Sequence, residues 1–199
     1  MPILTGITAD DFGPPANYLK TSVASLAAEL PLMFGEKCQA FISKEADYLA
    51  LCPVSSDQRA REMAKRAQQE YRMASVFCWA MRRTKTAKTP VYTYIFEQPI
   101  PWPQHPEFGV FHSSDLVYSF NNLKKLNRSW TDDDRHVADQ VSSYWVNFVK
   151  TGNPNGECLR EWMPFDPNKA TTMALGTRPG PREIAPKERL RFYRELLEK

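Results

Sequence analysis

The stretch Gly109-Val-Phe-His112-Ser-Ser-Asp115-Leu-Val-Tyr118-Ser-Phe120 decides how this chain is read. One histidine sits among small and polar residues, a few positions after the Pro/Trp-rich segment Gln98-Pro-Ile-Pro-Trp-Pro-Gln-His105-Pro. Before that segment comes Pro90-Val-Tyr-Thr-Tyr-Ile-Phe96, dense in β-branched and aromatic residues and opened by a proline, which predicts a strand. A strand, an irregular loop and then a histidine is how a rigid sheet presents a proton carrier to a cleft. Taken alone, the same pattern also fits a histidine that is merely satisfied in a loop or packed in a core.

The neighbouring segments favour the first reading. The spacing Gly-x-x-His-x-x-acid-x-x-Tyr-x-Phe resembles the histidine segment of the type-B carboxylesterases, the cholinesterase-like branch of the α/β-hydrolases. Trp130-Thr-Asp-Asp-Asp-Arg and Ser143-Tyr-Trp-Val-Asn-Phe-Val-Lys-Thr-Gly-Asn-Pro-Asn155-Gly resemble that family's closing helix and the turn after it, and Trp162-Met-Pro-Phe-Asp also matches. The likeness is to microbial members and runs through most of the 199 residues. It implies an α/β fold, specifically the C-terminal portion of an α/β-hydrolase, with few parallel strands packed by several helices.

The resemblance also implies a serine esterase mechanism. In it a serine attacks an ester carbonyl, a histidine carries its proton, and an acid fixes the histidine tautomer. The partners occur in the order Ser, acid, His. His112 is then the general base and acid. The N-terminal Pro2-Ile-Leu-Thr-Gly-Ile7 reads as a buried strand leading into Thr8-Ala-Asp10-Asp11-Phe-Gly13. Asp11 stands where the family usually has a glutamate followed by glycine, and Phe12 replaces that glycine. Asp10 is the alternative acid, and both aspartates also suit a simple turn or helix cap. Asp115 matches a family glutamate behind the histidine and is expected to support buried polar groups rather than react.

The nucleophile has no candidate of the family type. The chain has 8 glycines, and none flanks a serine as Gly-x-Ser-x-Gly; no His-Gly-Gly segment is present either. Ser113 and Ser114 adjoin His112 but sit on no nucleophile elbow. The expectation is therefore that these residues are the C-terminal part of a larger esterase, inactive alone. The partners expected are a small-molecule ester and the N-terminal half that carries the serine. The alternative is a non-catalytic cholinesterase-like interaction module, which the aspartate at position 11 favours and the intact His112 segment opposes.

Composition narrows the field. Hydrophobic content of 42% with 25% charged residues is the profile of a globular domain with a core. The net charge of +3 is too small to imply a nucleic-acid partner, and the basic run Arg82–Lys88 lacks interleaved aromatics, so it reads as a solvated helix end. No apolar run approaches about 20 residues, so no membrane span is expected. The N-terminus lacks a signal-peptide layout, and the cellular location is not readable. The four cysteines, Cys38, Cys52, Cys78 and Cys158, make no CxxC pair, which argues against zinc and redox sites. Free, mostly buried thiols are expected, with Cys38–Cys52 open as a local pair. Cys78 aligns with a cysteine that animal members tie to the C-terminal helix, but the closing segment here offers it no partner. Neither cofactor nor metal is called for.

The remaining elements follow from periodicity. Val23, Leu26, Ala27 and Leu30 predict a short helix stopped near Pro31, with a second over Gly35–Ser43. Tyr48–Cys52 fits either a strand or a buried turn. Ser55 with Gln58 predicts a capping box opening a helix of about seven turns. Thr131 with Asp134 predicts another cap, with Val137, Ala138, Val141, Tyr144, Trp145, Phe148 and Val149 as the buried stripe, ended by Gly152 and Pro154. A short strand near Thr172–Leu175 and a helix over Pro186–Glu198 close the chain. Trp102, Phe108 and Phe111 fit an apolar pocket or loop packing equally. No repeat or low-complexity tract marks a boundary inside 1–199.

Overall fold

The computed structural model describes residues 1–11, 20–33 and 54–198, with the main chain alone at 30–33. The predicted helix over Gly35–Ser43, the Tyr48–Cys52 segment, Phe12 and the Cys38–Cys52 pair lie outside the described residues. The chain divides into two compact units, residues 1–13 with 79–183 and residues 14–78 with 184–199.

The first unit holds one sheet. Its strands are β1 (Ile3–Thr8), β2 (Val91–Phe96), β3 (Thr171–Leu175) and β4 (Gly180–Glu183), in the spatial order β1-β2-β3-β4. β1, β2 and β3 run parallel and β4 returns antiparallel. This is the α/β class with a mostly parallel sheet. β2 is buried along nearly its whole length, because a parallel strand between two others is covered on both faces. Among the described residues there are four strands, where the sequence pointed to three and left Tyr48–Cys52 open between strand and turn. β4 escaped notice because Gly180-Pro-Arg-Glu alternates half-buried with exposed and contains a proline, both marks of an edge strand. Among the described residues no strand covers the outer edge of β1.

Helix α4 (Asp132–Thr151) packs Val137, Ala138, Val141 and Tyr144 inward. Its start is the predicted capping box, with Thr131 Oγ1 accepting the Asp134 N–H at 3.2 Å and Asp134 Oδ2 accepting the Thr131 N–H at 2.9 Å. It ends at Gly152. Val149 is 81% exposed, so the buried stripe stops one turn earlier than its spacing suggested. An aromatic cluster joins this helix to the sheet: Tyr94 meets Trp145 edge-on at 5.2 Å, and Trp162 meets Tyr144 edge-on at 5.3 Å. The one-turn helix α3 (Leu116–Ser119) lies just after His112.

The second unit contains α1 (Leu26–Met33), the residues to Cys78 of α2 (Asp57–Thr86), and α5 (Lys187–Leu197). α1 starts later than predicted and passes Pro31, since a single missing N–H removes one rung without unwinding the turns on either side. α2 opens one residue later than expected: Ser56 Oγ, rather than Ser55, accepts the Arg59 N–H at 3.3 Å. Ala60, Ala64, Ala67 and Ala74 make its buried stripe. The small side chains leave room for Tyr193 of α5, whose hydroxyl bonds Glu70 at 3.3 Å. Arg189 grips the same carboxylate through two bonds of 2.7 and 2.8 Å, both partners buried. Cys78 and Cys158 are thiols; Cys78 is buried as expected, whereas Cys158 is exposed.

Candidate functional site

The site grows from the way β1 continues past its end. Ala9 N–H still bonds the last carbonyl of β2, Phe96 O, at 2.9 Å. After Glu97, whose N–H bonds Leu175 O of β3 at 2.7 Å, the chain of β2 leaves the sheet and returns at Val110. There Asp10 N–H bonds Val110 O at 2.9 Å, and Asp10 and Phe111 form a parallel bridge. The returning segment thus takes over the place of β2 beside the continuation of β1. One residue further along each strand stand Asp11 and His112.

Those two side chains meet: His112 Nδ1 is hydrogen-bonded to Asp11 Oδ1. The His112 side chain is 76% exposed and that of Asp11 22%, so the acid lies inside and the ring faces outward; among the described residues Nε2 makes no hydrogen bond. A carboxylate on Nδ1 fixes the tautomer that leaves Nε2 able to accept a proton. Asp10 has a different task. It is buried, and its Oδ2 accepts the Val110 N–H at 2.8 Å. The carboxylate occupies the space a side chain on Gly109 would need, and Gly109 adopts a φ of +53°.

Behind the histidine, Asp115 accepts the Tyr94 hydroxyl at 3.3 Å. Burial pushes the Asp115 carboxyl up and the nearby Asp11 charge adds to this, against hydrogen bonds from its own N–H and from Tyr94. Burial, together with Asp115, pushes the Tyr94 phenol well above its ordinary range. Ser113 is exposed, with a φ of 67°, and Ser114 is 1% exposed.

The loop over residues 97–109 carries an apolar cavity of about 300 Å³, lined by Trp102, Phe108 and Phe111 with Ile100, His105 and three prolines. Pocket and loop packing turn out to be the same feature. Trp102 stacks on Phe108 at 5.2 Å with an 18° tilt, Phe111 meets both edge-on, and the Arg128 guanidinium lies 4.2 Å over the Trp102 ring. A larger cavity of about 490 Å³ lies near the amino ends of β2 and β3, by the Thr93–Thr172 hydroxyl pair. It sits away from His112.

A buried polar knot anchors the start of the loop. Asp134 Oδ1 accepts the Tyr118 hydroxyl and Gln98 Nε2, each at 2.8 Å, and Tyr118 also reaches Pro99 O at 3.2 Å. Burial alone would raise the Asp134 carboxyl; the bonds from Thr131, Tyr118 and Gln98 outweigh it and hold it below its usual range. Sequence reasoning saw Asp134 as a cap only. The signal available was an aspartate at the third helical position whose cap used one oxygen, leaving the other for partners distant in the chain.

Among the described residues no group of three His, Cys, Asp or Glu side chains could hold a metal, and no described helix is long and apolar enough to cross a membrane.

A family model described as the carboxylesterase family matches residues 1–193. Human cocaine esterase is 25% identical over 99% of this chain and 37% of its own length. Human bile salt-activated lipase is 30% identical over 55% of the chain, and rat liver carboxylesterase 1F is 26% identical over 65%. The chain thus spans 37% or less of the length of each of these relatives, with 15% of the lipase and 23% of carboxylesterase 1F.

Proposed function

The chain belongs to the carboxylesterase family, and from that premise we propose that it carries the general base and the orienting acid of a serine-type carboxylic-ester hydrolase. The observation that supports this most is the His112–Asp11 hydrogen bond, made where β1 and the segment continuing β2 run side by side. Ligands of open parallel sheets bind beyond the carboxyl ends of the strands, which is where the exposed face of His112 looks out.

In this reading the nucleophile comes from a family segment outside these 199 residues, because no Gly-x-Ser-x-Gly occurs in them. The serine oxygen attacks the ester carbonyl while His112 Nε2 takes its proton. The imidazolium, steadied by Asp11 at Nδ1, gives that proton to the departing alkoxide as the C–O bond breaks. Water then repeats the cycle on the acyl-serine, with His112 again as base. Asp115 and Tyr94 hold the turn behind the ring. The apolar β1, with Ile3, Leu4 and Ile7 half-buried on an outer edge that no described strand covers, offers the serine-bearing segment a strand to join.

The second reading, a binding module, draws on the absence of a nucleophile from the chain. Two measurements separate them. The chain alone is expected to leave a serine-directed fluorophosphonate unreacted and to hydrolyse p-nitrophenyl acetate no faster than free imidazole. Joined to its serine-bearing segment it is expected to do both. Labelling of Ser113 in the chain alone would overturn the assignment of the nucleophile, and a joined protein without turnover would leave the binding module.

A further inference from the structure

We propose that the cavity beside Thr93 and Thr172 is a second binding site, remote from His112, for an uncharged and mainly apolar molecule that presents a carbonyl oxygen, as a ketone, an amide or an ester does. This goes beyond the esterase reading and does not rest on it.

The cavity comes from the way the sheet is filled. β3 pairs with β2 only from Tyr94, which lies opposite Met173. Toward the start of β2 that place is taken by the segment around Phe165, whose N–H bonds Val91 O at 2.7 Å. Thr93 stands at the junction, and a space of about 490 Å³ opens there. Sites for small molecules span roughly 300–1,000 Å³. Every lining residue falls in the first unit.

The buried part of the lining asks for an acceptor. Thr93 and Thr172 are 4% and 5% exposed, and their hydroxyls bond each other at 3.1 Å. Two hydroxyls carry two hydrogens, and this bond uses one. Among the described residues neither side chain makes another hydrogen bond, so one O–H hydrogen is left without an acceptor whichever threonine donates. A donor unmet away from water costs free energy that a ligand oxygen recovers.

The walls and the rim fix the rest of the ligand. Trp162, Phe165, Met163 and Met173 make the walls apolar, and the two thioethers adapt to irregular shapes. Four charged residues also line the space, and their signs cancel: Arg160 and Lys169 against Glu161 and Asp166, with Lys169 facing Asp166 at 3.8 Å. A carboxylate ligand therefore meets no net attraction and would give up its hydration for a single hydroxyl hydrogen. A pure hydrocarbon suits the walls but leaves that hydrogen unmet. An uncharged carbonyl compound satisfies both.

The test titrates the 199-residue chain with acetophenone, with ethylbenzene, which lacks the oxygen, and with benzoate, which carries a charge. The methyl signals of Met163 and Met173 are followed by NMR. Acetophenone is expected to move both saturably and to bind about five-fold or more tightly than either of the others, the worth of one hydrogen bond. Thr93→Val combined with Thr172→Val removes both hydroxyls at equal shape, which leaves the fold nearly unaffected. It is expected to bring acetophenone and ethylbenzene to about equal affinity. Met163→Ala, at an exposed wall position, is expected to weaken both by about three-fold, read at Met173, through lost dispersion contacts. No saturable shift with acetophenone, benzoate binding as tightly, a carbonyl preference that survives the double substitution, or affinities untouched by Met163→Ala each overturn the proposal. None of these readouts is turnover, so the esterase reading stands or falls separately.

Discussion

Asp10 and Val110 hold each other through two hydrogen bonds: Val110 N–H to Asp10 Oδ2 at 2.8 Å, and Asp10 N–H to Val110 O at 2.9 Å. This clamp sets the register in which Asp11 faces His112. Asp10→Ala removes the side-chain half and strands a buried N–H. It is expected to lower stability by about 1–3 kcal/mol and to reduce turnover of the joined enzyme, although Asp10 does not touch the ring bond. Denaturant melts and p-nitrophenyl acetate rates on the same variant measure both; unchanged stability would mean that the register is held elsewhere.

Gly109 meets the clamp from the other side. Any side chain there collides with the Asp10 carboxylate and must adopt a φ of +53°. Gly109→Ala is expected to destabilise by about 2–4 kcal/mol, combining backbone strain with displacement of a buried carboxylate. Thermal melting reads this directly, and a neutral substitution would contradict the described loop.

Two aspartates, Asp134 buried and Asp115 half-buried, should give opposite pH signatures. The fold holds the Asp134 carboxyl below the usual 3.8, so its contribution is full above that value and is lost as pH falls through the lower folded pKa. Asp115 is raised above 3.8, mainly by burial, so stability falls as pH rises from 3.8 to its higher folded pKa. Asp134→Asn should therefore remove part of the acid limb of the stability curve. Asp115→Asn should instead gain relative to wild type toward neutral pH. Melting temperatures from pH 2.5 to 7 compare the three proteins; curves of the same shape would refute both assignments.

The second unit offers a test independent of the site. Arg189 and Tyr193 share the buried Glu70 carboxylate. Glu70→Ala leaves a buried guanidinium without this partner and is expected to cost about 3–5 kcal/mol. Replacing both members with apolar residues, as in Glu70→Leu with Arg189→Met, is expected to recover most of that loss. A double-mutant cycle by urea melts decides it, and strictly additive losses would show that the pair is not coupled.

The legible parts of this molecule were those set by local chemistry. The Thr131–Asp134 cap and the β-branched run Val91–Phe96 each announce themselves within a few residues. Asp11 and His112 could be named as partners because a family pattern pointed to them, not because anything local links positions so far apart in the chain. What escaped was long-range or marginal. The Asp10 clamp depends on a loop that leaves the sheet after Glu97 and returns at Val110, a path no periodicity encodes. β4 is too short and too polar to signal a strand, and the exposure of Val149 reflects where the core ends rather than the helical period. Trp102, Phe108 and Phe111 showed aromatic bulk, but the cavity they enclose comes from ring angles fixed only by packing.

The central claim is that His112, oriented by Asp11, moves the proton for a serine supplied from outside this chain. The most direct test is the kcat for p-nitrophenyl acetate of the polypeptide that joins this chain to its serine-bearing segment, compared with its His112→Ala variant at equal folded concentration. The account predicts a loss on the order of 10⁴-fold with nearly unchanged melting, since the ring is largely exposed. A variant that keeps its turnover within ten-fold of wild type would contradict it.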